Sequence, residues 1–205
     1  MKWQLNNIKY PVYNLGEGKR IGIWVQGCDL GCKGCINMTL WNNNYGKAIN
    51  VLDTYNLIID LCEEYDGITI SGGEPFQQYE ALITFIHLIK KNTTLDIYCF
   101  TGYELDEINE LYPDKLYLKY IDKLVTGRYI AEQHSKDNIK GSSNQKIFNF
   151  IDGLPIEIKD KHIVNKLGLY VGLDGQIQMT AIPKKNEINK IESELNENGI
   201  FKKFI

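Results

Sequence analysis

The sequence predicts an α/β fold: a mostly parallel sheet whose strands are joined by helices, in one domain. Three observations carry this. Short runs rich in β-branched or aromatic residues (Ile21–Val25, Ile68–Ile70, Asp96–Phe100 and Tyr120–Thr126) alternate with segments of helical apolar spacing. That alternation is the mark of parallel pairing through crossovers. Each run also ends at a glycine-bearing loop, and the carboxyl ends of such strands are where α/β folds place their chemistry. Finally, 205 residues with 43% apolar content suffice for one substantial core.

Composition excludes several classes of function. The net charge is −3 and no basic block is present, which argues against nucleic-acid binding and against membrane-surface binding. The segment Met1–Asn7 lacks the apolar core of a signal peptide, and no apolar run approaches the ~18 residues of a membrane span. The expectation is a soluble cytoplasmic protein. No internal repeat or low-complexity linker interrupts the chain.

Residues 1–20 read as a lead-in that ends in the turn Gly16-Glu17-Gly18. The strand Ile21–Val25 then delivers the chain into Gly27-Cys28-Asp29-Leu30-Gly31-Cys32-Lys33-Gly34-Cys35. The spacing C-x3-C-x2-C puts three thiols on one tight loop. A cubane iron–sulfur cluster normally takes four cysteines, so three local thiolates hold three irons and leave the fourth open to a ligand. A structural zinc site wants four N or S ligands; His87, His134 or His162 could complete one from a distance. A disulfide framework fits poorly, because five cysteines is an odd count.

Asn42–Gly46 is a turn-rich exit from this loop. From about Val51, Leu57, Ile58, Leu61 and Cys62 recur at helical spacing, and Asp66-Gly67 ends the helix. The buried-type strand Ile68–Ile70 runs into Ser71-Gly72-Gly73-Glu74-Pro75. Paired glycines there expose backbone groups to a ligand, and Glu74 adds a carboxylate; the plainer alternative is a turn before a helix. Leu82, Ile83, Ile86 and Ile89 form a helical core stripe. The strand Asp96–Phe100 ends at Thr101-Gly102-Tyr103, and Leu105, Ile108 and Leu111 mark the next helix. Cys62 and Cys99 sit in apolar segments and read as small buried hydrophobes, with a fourth zinc ligand as the alternative. Tyr120–Thr126 leads to Gly127-Arg128, whose guanidinium can take a ligand carboxylate or pair with a neighbouring acid. Gly141-Ser142-Ser143-Asn144-Gln145 is a polar loop. Beyond residue 150, Leu169–Leu173 and Gln176–Thr180 flank Asp174-Gly175, a β-hairpin signal. Ile188, Ile191 and Leu195 then make a short amphipathic helix closed by Gly199. This piece would cover the open edge of the sheet, or hold a partner or substrate.

C-x3-C-x2-C resembles the signature of the radical S-adenosylmethionine (SAM) superfamily. The surrounding residues resemble the activating proteins of anaerobic ribonucleotide reductase. The matching segments are Gly16–Arg20, Val25–Cys28, Cys32–Asn37 with Trp41, Ser71–Pro75, Thr101–Glu107 and Gly141–Gln145. Many superfamily members carry an aromatic before the third cysteine; here Gly34 stands there, as is usual in the activating subgroup. The resemblance implies a partial (β/α) barrel over residues 1–150 and an appendage over 151–205. It implies a 4Fe–4S cluster on Cys28, Cys32 and Cys35. SAM would be bound by Ser71, Gly72, Gly73 and Glu74 at its amino group, with Thr101 and Asn37 nearby and Arg128 at its carboxylate. Thr126 departs from the Asp common in that family. The implied reaction is one-electron cleavage of SAM, the electron coming from reduced flavodoxin or ferredoxin. The 5′-deoxyadenosyl radical so formed would take hydrogen from a glycine of the reductase. A sibling enzyme acting on another protein, a peptide or a small molecule is the alternative. A non-enzymatic zinc or iron–sulfur module is a third reading.

Overall fold

The structure is a computed structural model that describes residues 1–135, 139–159, 167–171, 177–181, 190, 193–194, 197 and 202–204. Its strands are β1 (Lys2–Val12), β2 (Arg20–Val25), β3 (Lys47–Asn50), β4 (Gly67–Gly72), β5 (Asp96–Phe100), β6 (Lys123–Thr126), β7 (Lys146–Ile151) and β8 (Leu154–Ile158). Its helices are α1 (Val51–Leu61), α2 (Tyr79–Asn92), α3 (Leu105–Leu111) and α4 (Tyr117–Tyr120). The eight strands form one sheet in the order β3-β1-β2-β4-β5-β6-β7-β8.

The centre of that sheet, β2-β4-β5-β6, is parallel, as the strand–helix alternation predicts. Every residue of β2 is buried, the pattern of a strand covered on both faces. Ile23, Ile68, Ile70, Ile97 and Leu124 from the strands meet Leu82, Phe85, Ile86 and Ile89 from α2 in one core. Burying side chains of this size contributes about 1.5–3 kcal/mol each. α1 begins where the Asn50 side chain accepts the Leu52 N–H, and Pro75 opens the turn that leads into α2.

Arg20 closes the end of the sheet remote from the cysteines. It is fully buried, donates to Thr69 Oγ1, Glu17 O and Ile68 O, pairs with Asp96 at 2.7 Å, and lies 3.8 Å over the Tyr98 ring. The Gly16–Arg20 segment therefore serves the architecture.

The sheet is mixed rather than mostly parallel, because both margins are antiparallel. Residues 2–12 form β1, an ordered strand where a lead-in was expected; it pairs with β2 and with β3. Its period-2 signal, with Trp3 and Leu5 buried, breaks at the register shift between Leu5 and Asn7. The strand expected over Tyr120–Thr126 is shorter, since Tyr117–Tyr120 is helical and β6 begins at Lys123. β7 and β8 form a hairpin through Asp152-Gly153, both at positive φ (51° and 74°), which carries the sheet past residue 150 to Ile158.

Three further strands, β9 (Leu167–Val171), β10 (Ile177–Ala181) and β11 (Lys202–Phe204), make a separate small sheet. β9 and β10 pair antiparallel, as their sequence pattern predicts. Tyr170 donates its hydroxyl to Pro11 O at 2.6 Å, and the Thr180 hydroxyl donates to Asn14 Oδ1 at 3.0 Å. Tyr170 also packs on Val12, Leu15, Trp24 and Leu40. The Asp174-Gly175 turn and most of the expected Ile188–Leu195 helix lie outside the described residues.

Candidate metal centre and cofactor cavity

The loops after β2, β4, β5 and β6 open on one cavity of about 650 Å³. Cys28, Cys32 and Cys35 line it, as do Ser71, Gly72, Gly73, Glu74 and Thr101. Eight of the ten residues singled out from sequence thus share one space, of a size that takes a nucleoside-sized ligand.

The cysteine loop is tied at its stem. Gly27 N–H donates to Leu40 O at 2.7 Å and Cys28 N–H to Trp41 O at 3.1 Å. Gln26 is fully buried beneath the stem, where its amide donates to Thr39 O (3.0 Å) and Asn42 O (2.7 Å) and accepts from Asn6 Nδ2 (2.8 Å). Within the loop, Cys35 N–H donates to Cys32 O at 3.0 Å, and Asp29 N–H to Gln77 Oε1 at 3.1 Å. Gly34 has φ +80°, and a Cβ there would stand 2.8 Å from Ala131 Cβ, so the position admits no side chain without strain.

The donor set fits an iron–sulfur cluster better than a zinc ion. Cys99 is buried in the core and Cys62 packs against it at the end of α1; neither lines the cavity. His87 lies on α2 with its ring 5.0 Å from that of Tyr120, and His162 is outside the described residues. His134 does line the cavity, with its Nδ1 3.3 Å from the Tyr129 hydroxyl. Among the described residues no three His, Cys, Asp or Glu side chains close on one point as a mononuclear ion requires. A multi-iron cluster presents its irons at separate corners, so three thiols lining one cavity suit it. Burial pushes the Cys28 thiol up to about 11, opposed by a hydrogen bond from the Leu30 backbone, and burial also raises Cys32. Soft metal ions would displace those protons on binding.

The Ser71–Pro75 turn is stitched to the same stem. Gly73 N–H donates to Val25 O and Glu74 N–H to Gly27 O, both at 2.8 Å. A Cβ at Gly73 would lie 2.1 Å from Gly27 O, so only glycine permits this approach. With those N–H groups engaged, the turn has carbonyl oxygen to offer a ligand, which suits an amino group. The Glu74 carboxylate faces inward, 1% exposed, and accepts from Phe76 N–H (3.0 Å), Thr101 Oγ1 (2.8 Å) and Gly102 N–H (2.8 Å). Burial pushes its pKa up to about 7 against those three hydrogen bonds. Glu74 therefore ties the end of β4 to the end of β5 and so positions the turn.

Arg128 and Asn37 are not among the cavity-lining residues. Arg128 Nη1 donates to both Glu107 oxygens (3.0 and 2.8 Å), which holds that carboxyl below its usual range, and its guanidinium lies 5.8 Å from the Tyr103 ring centroid. The neighbouring-acid reading of Arg128 is the arrangement seen. Asn37 accepts the Leu40 N–H through its carbonyl and opens a short turn. Thr126 is fully buried, and its hydroxyl has no hydrogen-bond partner.

The structure adds Leu30, Ile36, Phe100, Tyr129, Ala131 and His134 to the cavity wall, together with Gly127, Gly141 and Gln145. Gln145 braces its loop: Oε1 accepts from Gly141 N–H and Ser142 N–H, and Nε2 donates to Gly127 O. Gly141–Gln145 was visible in sequence as a landmark. Tyr129 carried no signal there, because its neighbours come from distant parts of the chain. His134 was visible only as one of three histidines that could complete a zinc site, and among the described residues it is the one of them that lines the cavity.

A loop of three thiols, joined to a glycine turn over a ligand-sized cavity, defines a single-cluster iron–sulfur protein. Residues 14–148 match the family model described as 4Fe-4S single cluster domain. Relatives of the same kind cover most of their own length. An anaerobic ribonucleoside-triphosphate reductase-activating protein of Haemophilus influenzae is 35% identical over 142 residues, 66% of this chain and 90% of that protein. The protein of that name from Enterobacteria phage T4 is 31% identical over 68% of this chain and 89% of its own. The Escherichia coli K12 protein is 32% identical over 67% and 94%. The chain belongs to the family of anaerobic ribonucleoside-triphosphate reductase-activating proteins. A crystal structure of QueE from Escherichia coli superposes with a TM-score of 0.43 at 21% identity, over 50% of this chain and 53% of that one, a likeness too slight to bear on the fold.

Proposed function

We propose that this protein is a radical SAM enzyme that generates a glycyl radical on an anaerobic ribonucleotide reductase. The observation that carries the reading is the stitching of the three-thiol loop to the Gly72–Glu74 turn on one cavity wall. Cys28, Cys32 and Cys35 would hold a 4Fe–4S cluster and leave one iron for the ligand. With SAM bound, a reduced cluster of this kind supplies a one-electron cleavage that gives methionine and a 5′-deoxyadenosyl radical.

The chain's own residues bind, orient and shield. The carbonyl side of the Gly72-Gly73 turn receives the amino group of the methionine moiety. Glu74 and Thr101 hold that turn in place, at 2.8 Å from each other. Leu30, Ile36, Phe100 and Ala131 keep the cavity apolar, which protects a reactive radical from side reactions. Arg128, engaged by Glu107, is left out of the ligand set. The sheet would act as a partial barrel open at its carboxyl strand ends. The appendage expected from residue 151 would begin only after Ile158, because β7 and β8 belong to the main sheet. Reduced flavodoxin or ferredoxin would supply the electron. The relatives' name supplies the partner: the anaerobic reductase, whose glycine Cα–H would enter the cavity mouth. Among the described residues no helix is long and apolar enough to cross a membrane.

Anaerobic reconstitution with iron and sulfide, followed by a 5′-deoxyadenosine assay and a pull-down with the host's reductase, tests this reading. Turnover that needs SAM and reductant, with association, is expected. Turnover without association would move the substrate to another protein, a peptide or a small molecule. Zinc in anaerobically purified protein and no turnover would replace the enzyme with a binding module.

A further inference from the structure

We propose that Tyr129 is the platform on which the adenine ring of bound SAM stacks; this rests on the reading of the cavity as a SAM site. A bound adenosyl group brings a flat purine into the cavity, and such rings gain most from an aromatic face held in a fixed orientation. Trp41, Phe100, Tyr129 and the imidazole of His134 are the aromatic rings lining the cavity among the described residues, and His134 meets Tyr129 edge-on. Trp41 stands at the loop stem, where its carbonyl receives Cys28 N–H. Phe100 packs into the cluster of Tyr98, Val125, Ile139 and Ile147.

Tyr129 is fixed on three sides. Its Cε1 lies 4.0 Å from where a Cβ would stand at Gly34, and the opposite edge, at Cδ2, lies 3.0 Å from where one would stand at Gly141. Its hydroxyl is 3.3 Å from His134 Nδ1, with the two rings edge-on at 6.3 Å. Glycine at position 141 makes room for one edge of the ring, the other edge lies at van der Waals range of Gly34, and the hydroxyl meets His134. Gly34 directly precedes Cys35, so the ring stands beside the third thiol. Because position 34 is closed by Ala131 and its backbone is left-handed, no aromatic can come from the cysteine loop itself. The aromatic wall beside that thiol comes instead from the connection between β6 and β7, with Ile36 and Ala131 as further apolar lining.

The test uses anaerobically reconstituted protein, with iron content and cluster absorbance recorded for each variant. Calorimetric titration with S-adenosylhomocysteine and with methionine separates the two halves of the ligand. Tyr129→Leu should weaken S-adenosylhomocysteine binding by roughly 5- to 150-fold, the range for one base–aromatic stack. Methionine affinity should stay within about twofold, and Tyr129→Phe should restore adenosyl binding. Unchanged S-adenosylhomocysteine affinity in Tyr129→Leu overturns the proposal, as does an equal loss for both ligands. Photolabelling of the wild type with 8-azido-SAM needs no variant: label on the Arg128–Ala131 peptide is expected, and label confined elsewhere overturns the assignment. If the wild type binds neither ligand, the SAM reading itself fails and Tyr129 with it, an outcome distinct from a wild type that binds and a variant that binds equally.

Discussion

Replacing Glu74 by Gln keeps its shape and removes one acceptor. The carboxylate takes Phe76 N–H and the Thr101 hydroxyl on Oε1, and Gly102 N–H on Oε2. An amide placed with its nitrogen at Oε2 meets the Gly102 donor head-on. Flipped, its nitrogen meets the Phe76 donor, while the Thr101 hydroxyl can turn and accept. Either way one buried backbone N–H loses its partner, at a cost of about 1–3 kcal/mol. In a chain of this size that corresponds to a fall in Tm of roughly 2–4 °C per kcal/mol. Because Glu74 joins the ligand turn to Thr101, the same strain should loosen the turn and weaken SAM binding by up to about a hundredfold. The comparison belongs at about pH 8, above the raised carboxyl pKa of about 7, where the wild-type group is ionised. Thermal unfolding and calorimetric SAM titration on cluster-loaded protein measure both effects. Wild-type Tm and wild-type SAM affinity in Glu74→Gln would refute the positioning role.

Cys32→Ala should lose the cluster and all 5′-deoxyadenosine formation, read as iron content and product; retained turnover would remove Cys32 from the ligand set. Gly73→Ala places a Cβ 2.1 Å from the Gly27 carbonyl and should cost about 1–3 kcal/mol or more while abolishing SAM binding. Gly153→Ala, at a position with nothing within 4 Å, should cost only the ~1–2 kcal/mol of its left-handed backbone and leave SAM binding intact. Gln26→Leu strips the Thr39 and Asn42 carbonyls and the Asn6 amide of their partner; the expected outcome is cluster loss several times faster under a chelator, followed by absorbance. Glu107→Ala frees Arg128 and should leave SAM affinity within about twofold, whereas a tenfold change would bring Arg128 back into the ligand set.

Local chemistry was legible in the sequence; long-range company was not. The three thiols and the Ser71–Glu74 turn announce themselves by residue type and spacing, and the cavity brings them together. Thr101 followed from its place at a strand end. Arg128 has the same credentials, but its partner Glu107 is 21 residues away on α3, and no spacing rule links the two. Tyr129 is set by Gly34, Gly141 and His134, contacts that only the fold creates. The central strands were readable because buried parallel strands are continuously apolar. β1 was missed because a register shift interrupts its alternation at Asn6-Asn7. β7 and β8 were missed although Asp152-Gly153 is the same kind of turn signal as Asp174-Gly175. β8 alternates Leu154, Ile156 and Ile158, but Pro155 interrupts it, and only Ile158 packs against the core while Leu154 and Ile156 are exposed.

The most direct test of the central claim is an electron paramagnetic resonance spectrum, recorded under strict anaerobiosis. The sample contains the reconstituted protein, SAM, a reductant and the host's anaerobic ribonucleotide reductase. A glycyl doublet on the reductase that vanishes when any one component is withheld is the predicted result. No doublet from a sample that nonetheless forms 5′-deoxyadenosine would contradict the assigned substrate and point to another hydrogen donor.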